Sequence, residues 1–152
     1  VKPPKNRILV VDDDTSVRQM LTRVLVGEGY LVWAAADGTT ALEIAAAEKI
    51  DLVLLDLNLP GKNGWDTFER LSTENPSLAV IIITARSNQL FTATGAGVGA
   101  LLEKPLDFPI LLQTIRRLLA EPVESRLARM AGKPADLHYV HTQRKEQKRP
   151  GY

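Results

Sequence analysis

The chain has 152 residues, 45% of them hydrophobic, which is enough for one ordinary core and too few for two full-sized domains. It lacks cysteine, which excludes a disulfide framework, a thiolate metal site and a cysteine nucleophile. Val1 to Arg7 has no signal-peptide character and no apolar run nears the roughly 18 to 20 residues of a membrane helix, so a soluble, cytoplasmic protein is expected. The net charge of +1 conceals an uneven distribution, since residues 1–124 carry −4 and residues 125–152 carry +5.

Taken in chain order, Ile8 to Val11 reads as a first strand, running into Asp12-Asp13-Asp14. Ser16 to Gly27 sets Val17, Met20, Leu21, Val24 and Leu25 at helical spacing, with Asp14 or Thr15 as N-cap. Leu31 to Ala35 is a second strand, and the Ala-rich stretch Thr40 to Lys49 a second helix. Leu52 to Leu55 is a third strand ending at Asp56, followed by a helix over Gly64 to Glu74 that carries Trp65, Phe68 and Leu71. Val80 to Ile83 is a fourth strand ending at Thr84-Ala85. A short Gly-bounded helix is expected over Asn88 to Thr94. Ala100 to Leu102 is a fifth strand running into Glu103-Lys104-Pro105, and Phe108 to Ala120 a further helix. Beyond a body spanning 6–121, the tail 122–152 holds a short helix over Pro122 to Met130. Its apolar stripe of Val123, Leu127 and Met130 needs a partner surface, and a basic end carries Arg144, Lys145, Lys148 and Arg149.

Four of the five strands are near-continuous apolar runs, the signature of a parallel sheet covered by helices on both faces. Right-handed crossovers make such a sheet doubly wound, and its chemistry collects at the carboxyl ends of the strands. Every informative polar group lies there: Asp12-Asp13-Asp14, Asp56, Thr84 and Lys104. Clustered carboxylates repel one another unless a cation compensates. Hard oxygen donors without His or Cys favour Mg²⁺ or Mn²⁺, with Asp13 and Asp56 as side-chain ligands. A carboxylate so neutralised is a competent phosphoryl acceptor, which makes Asp56 the nucleophile. Thr84 and Lys104 offer a hydroxyl and a point charge to phosphoryl oxygens, and Ala85 leaves room for a donor.

Ile8-Leu9-Val10-Val11-Asp12-Asp13-Asp14, Asp51 through Asp56 to Asn58-Leu59-Pro60-Gly61 with Gly64 following, Ile83-Thr84-Ala85 and Glu103-Lys104-Pro105-Leu106 together resemble, in order, the landmarks of response-regulator receiver domains of two-component phosphorelays. The resemblance covers roughly residues 6 to 121 and implies a flavodoxin-like α/β fold with strand order 2-1-3-4-5. By the same resemblance Asp56 is the phosphoacceptor, and Asp12, Asp13, Asp56 and the Asn58 backbone carbonyl bind the metal. Thr84 is the switch hydroxyl, Lys104 contacts phosphate, and the Lys104-Pro105 peptide is cis. Asn58 and Arg86 fall where the family tunes dephosphorylation, and slow self-dephosphorylation rather than enzymatic turnover is implied. A histidine kinase or phosphotransfer protein would be the donor, an output protein the target, and a homodimer is left open. Where the family often carries an aromatic residue, three positions before the lysine, this chain has Leu101. The interval from Thr84 to Lys104 is about two residues shorter than in many members.

Plainer readings stand beside these. Asp14 reads as a helix N-cap, and Trp33, Trp65, Phe68 and Phe108 as packing residues. Gly95-Ala96-Gly97-Val98-Gly99 precedes a strand and has the wrong spacing for a dinucleotide fingerprint, and His138 and His141 read as tail residues rather than metal ligands. A constitutive interaction module that has lost switching is one alternative. An aspartyl-nucleophile phosphatase is another, disfavoured because Asn58 stands where a general acid would be needed. The basic tail has no helix-turn-helix, which disfavours nucleic-acid binding. A stand-alone receiver, or the receiver piece of a transcriptional regulator, is expected.

Overall fold

The computed structural model describes residues 5–60, 64–85, 97–132 and 138–140. Gly61, Arg86, the helix expected over Asn88 to Thr94, Gly95, Ala96, His141 and the basic end 142–152 lie outside the described residues. Within them the order is β1 (Arg7–Val11), α1 (Thr15–Gly27), β2 (Leu31–Ala35), α2 (Gly38–Ala47), β3 (Leu52–Asp56), α3 (Gly64–Glu74), β4 (Ala79–Thr84), β5 (Ala100–Glu103), α4 (Phe108–Ala120), α5 (Val123–Met130) and β6 (His138–Val140).

The strands form one parallel sheet in the order β2-β1-β3-β4-β5-β6. The expected order of the first five strands holds, and the expected number is corrected from five to six. His138, Tyr139 and Val140 pair with Ala100, Leu101 and Leu102. Three residues are too few to show a period of two in the sequence, and what places them is the bare edge of β5.

Alternation along the strands divides the core into two layers. Leu9, Val11, Val53, Leu55, Val80, Ile82 and Leu101 face α2 and α3, where Ala41, Phe68 and Leu71 meet them. Ile8, Val10, Leu52, Leu54, Ile81, Ile83 and Leu102 face Leu21 and Leu25 of α1 and Leu111, Ile115 and Leu118 of α4. β3, β4 and β5 are buried at every residue, while the edge strand β2 is fully buried only at Ala35. Trp65 meets Phe68 edge-on at 5.8 Å, and Trp33 packs on the first layer with the Arg7 guanidinium 5.4 Å above its ring. The aromatic residues are packing groups.

One helix boundary is corrected, and a question the sequence leaves open about another helix is answered. α2 begins at Gly38, two residues earlier than the Ala-rich pattern predicts, because the Asp37 carboxylate accepts from Thr40 N at 2.8 Å and caps the helix. It ends at Ala47, where Glu48 turns extended. In α5 the predicted apolar stripe is not the buried side: Val123 is 43% and Leu127 44% exposed, whereas Arg129 is 7% exposed. Arg129 pairs with Glu121 through both carboxylate oxygens. Arg126 donates to the Leu118 carbonyl at 2.8 Å and the Ser77 carbonyl at 3.2 Å. The Leu118 carbonyl in the last turn of α4 and the Glu121 carboxylate that follows it draw the cationic face of α5 inward. Met130 alone of the stripe packs against the core.

Candidate functional site

β1, β3, β4 and β5 end at one rim of the sheet, and the residues that follow or close them form the site. Asp12 leaves β1 directly, its amide donating to the Ala35 carbonyl at 3.1 Å. Asp14 turns away to cap α1, accepting from Ser16 N and Val17 N, and donates its own amide to Asp12 Oδ1 at 2.9 Å. Asp56 is the last residue of β3, and its Oδ1 accepts from Asn58 N at 2.9 Å. Lys104 follows β5 and spans the two acids, with Nζ 3.0 Å from Asp56 Oδ2 and 3.5 Å from Asp12 Oδ2.

The expected acidic cluster therefore comes together. Asp12, Asp13 and Asp56 each offer an oxygen within 4.8 Å of the others, with Asp12 and Asp56 buried and Asp13 exposed. Asn58 is exposed beside them. Thr84 closes β4, one residue beyond Ile83, the register partner of Asp56. It is buried, and its carbonyl accepts from Lys104 N at 2.8 Å. Ala85 beside it is exposed. The Lys104-Pro105 peptide is cis. Leu101 is fully buried, and its register partner on β6 is Tyr139.

The electrostatics follow from this crowding. Burial pushes the Asp12 carboxyl above its ordinary range and the Asp56 charge adds to that, against the lowering pull of the Asp14 amide and Lys104. For Lys104 burial works against the ammonium, but the hydrogen bond and charge of Asp56, joined by those of Asp12, outweigh it and hold the group above its ordinary value. One ammonium faces three carboxyl groups in a partly dehydrated crevice, so a further cation is favoured there. The donors are hard oxygens around an open mouth, a set that suits Mg²⁺, which takes one or two carboxylates and retains water.

One residue that shapes the site escapes a reading of the sequence, and another shows there without its reason. Arg18, on the first turns of α1, donates from NH1 to the Asp12 carbonyl at 2.8 Å and from NH2 to Thr15 Oγ1 at 3.1 Å, pinning the acidic loop to its helix. Its position six residues after Asp12 was the available signal, and in sequence it reads as a solvated helix residue. Gly64 is visible as a landmark, but its reason is not: a Cβ there would lie 2.5 Å from Leu57 Cα and 2.7 Å from Leu57 O. Only glycine lets the start of α3 approach the backbone just past Asp56, where Gly64 N donates to the Leu57 carbonyl at 3.1 Å.

Residues 8–116 match the response regulator receiver domain family. Among curated proteins, the DNA-binding response regulator MtrA of Mycolicibacterium paratuberculosis is 38% identical over 133 residues, which cover 88% of this chain and 56% of MtrA. The response regulator MprA of Mycolicibacterium vanbaalenii is 38% identical over 115 residues, covering 74% of this chain and 50% of MprA. The chain thus spans about half the length of these curated relatives. Among solved structures, a CheY-like receiver domain protein from Methanospirillum hungatei shares 30% identity at a TM-score of 0.74, over 76% of this chain and 94% of that one. TrrA of Thermotoga maritima, solved in complex with Mg²⁺-BeF, shares 29% identity at a TM-score of 0.70, over 74% of this chain and 98% of its own. With the rim geometry, the parallel sheet and these likenesses in agreement, the chain belongs to the response regulator receiver domain family.

Proposed function

We propose that this receiver takes a phosphoryl group onto Asp56 from a histidine kinase or phosphotransfer protein in the cytoplasm, with Mg²⁺ or Mn²⁺ as cofactor, and that phosphorylation changes its contacts with an output protein. The observation that carries the reading is the placement of the Asp56 carboxylate at the strand end, with Lys104 on one oxygen, Asn58 N on the other, and two further acids within ligand distance. Asp12, Asp13, Asp56 and the Asn58 carbonyl would hold the metal, which when bound offsets the negative charge of the carboxylate and the incoming phosphate. An Asp56 oxygen attacks phosphorus as the bond from phosphorus to the donor breaks, leaving a mixed anhydride on β3. The Lys104 ammonium and the Thr84 hydroxyl then serve the phosphoryl oxygens. Asn58, two residues past the nucleophile, supplies no general acid, so the group leaves by slow hydrolysis and the protein is a switch rather than an enzyme.

Incubation with a small-molecule phosphodonor and Mg²⁺ is expected to add one phosphoryl group per chain to the wild type and none to Asp56→Asn. Equal absence of label in both proteins would remove the reading. MtrA is named as DNA-binding and this chain spans about half of it, which favours a second reading in which the receiver governs a DNA-binding module joined to it. Duplex binding by the whole gene product, compared with and without phosphodonor, tests that.

A further inference from the structure

β5 is buried throughout, with Glu103 at 6% exposure its most open residue. Among the described residues, the strand paired to its outer edge is β6, only three residues long. Beyond the backbone pairing, Tyr139 Oη donates to Glu103 Oε2 at 2.6 Å. That hydrogen bond, with burial and the Glu103 charge, pushes the phenol up to about 12, so it is a protonated donor near neutrality. Glu103 pairs in register with Thr84 and directly precedes Lys104. Two adjacent residues thus face opposite ways in the molecule: the Glu103 carboxylate holds the covering strand, and the Lys104 ammonium holds Asp56 and Asp12.

We propose that the edge of β5 is a strand-docking surface which the chain covers with its own residues 138–140, and that a phosphoryl group on Asp56 loosens this cover through the Glu103-Lys104 pair. The inference rests on the proposed phosphorylation of Asp56. A phosphoryl group there occupies the space on Asp56 that Lys104 now contacts, so the ammonium has to shift, and the backbone it shares with Glu103 carries that shift to the Tyr139 hydrogen bond. A three-residue strand lies at the short end of stable strands, so a small difference between the two states moves its equilibrium. The uncovered edge recognises an extended segment running parallel to β5 with a tyrosine-like residue opposite Leu101 whose hydroxyl reaches Glu103, which is how β6 itself binds.

Amide hydrogen exchange of the full chain, read by peptide mass spectrometry, tests both halves. Phosphodonor with Mg²⁺ is expected to speed exchange across 138–140 on the order of tenfold, within the usual range of coupling between sites, and to leave Asp56→Asn unchanged. Tyr139→Phe, unphosphorylated, is expected to show the fast exchange from the start. A labelled peptide spanning Asp136 to Gln143 is expected to bind Tyr139→Pro and the phosphorylated wild type, and to be excluded from the unmodified wild type. Unchanged protection of 138–140 in protein whose intact mass shows the added phosphoryl group overturns the coupling while leaving the proposed function standing. Absence of the mass gain overturns that function and the phosphoryl trigger with it. Wild-type protection in Tyr139→Phe, or no peptide binding to Tyr139→Pro, overturns the docking surface regardless of phosphorylation.

Discussion

Asp12 shows what a site of this kind costs its fold. Its carboxyl is raised chiefly by burial, so the folded state favours the neutral acid. The associated stability is fully present below the ordinary carboxylate value and is lost as pH rises through the raised one. Charging Asp12 as pH rises through that raised value therefore works against the metal-free fold. Asp12→Asn keeps an oxygen for the Asp14 amide and removes the charge. It is expected to raise the thermal midpoint in chelator at pH values above the raised Asp12 value, with the gain vanishing in acid. The same variant should lose its response to Mg²⁺. Lys104 has the complementary sign: its raised value means a stabilising contribution that persists below the ordinary lysine value and fades only as pH rises past it. The acids and the lysine were legible in the sequence because each stands at the end of an apolar strand. Arg18 was not, since only the folded loop brings the Asp12 carbonyl to its guanidinium.

Among the elements, α3 and α5 are fixed by contacts that no hydrophobic pattern encodes. Gly64→Ala places a methyl against the Leu57 backbone, which has no rotamer to yield, and the start of α3 must shift away from the segment carrying Asp56. A loss of about 1–3 kcal/mol is expected, read from urea midpoints, with a weaker Mg²⁺ response because the loop after Asp56 moves. At the other end of the sheet, Glu121→Ala leaves Arg129 buried without the carboxylate that both its terminal nitrogens contact. A loss of about 2–3 kcal/mol is expected, while Leu127→Ala on the exposed side of the same helix should cost under about 0.5 kcal/mol. The sequence pointed to a helix in this segment, and α5 spans Val123–Met130. Its orientation was hidden, because helical periodicity shows an apolar stripe without saying what it meets and cannot see the Leu118 carbonyl and the Glu121 carboxylate, each waiting eight residues upstream of its arginine. Gly97 belongs to the same contact: its backbone is left-handed (φ +81°) and a Cβ would lie 2.6 Å from the Arg129 carbonyl.

For the whole molecule, the linkage of ion binding to folding gives the broadest test. A cation that binds the folded rim alone adds stability by mass action, about 2.7 kcal/mol at a hundredfold excess over its dissociation constant. Thermal melts across a Mg²⁺ series should rise with the logarithm of the Mg²⁺ concentration, continuing past saturation of the site, in the wild type, and stay flat in Asp13→Asn, whose carboxylate is exposed and outside the core. The first five strands followed from alternating apolar and amphipathic runs and their order from the family resemblance, and the sheet and its two core layers agree. The sixth strand did not, because its pairing joins residues nearly forty positions apart through a stretch with no period of its own.

The sense in which β6 runs has a geometric result. Aligned with β5, it travels from Ala100's level to Leu102's, so the polypeptide leaves Val140 heading toward the rim of Thr84, Asp56 and Lys104 rather than toward the opposite end, where Ser77 meets Arg126. An antiparallel strand on the same edge would deliver the chain to that far end. Val140, which pairs with Leu102, thus stands level with Ile83 and Asp56, on the phosphoacceptor's own side of the sheet.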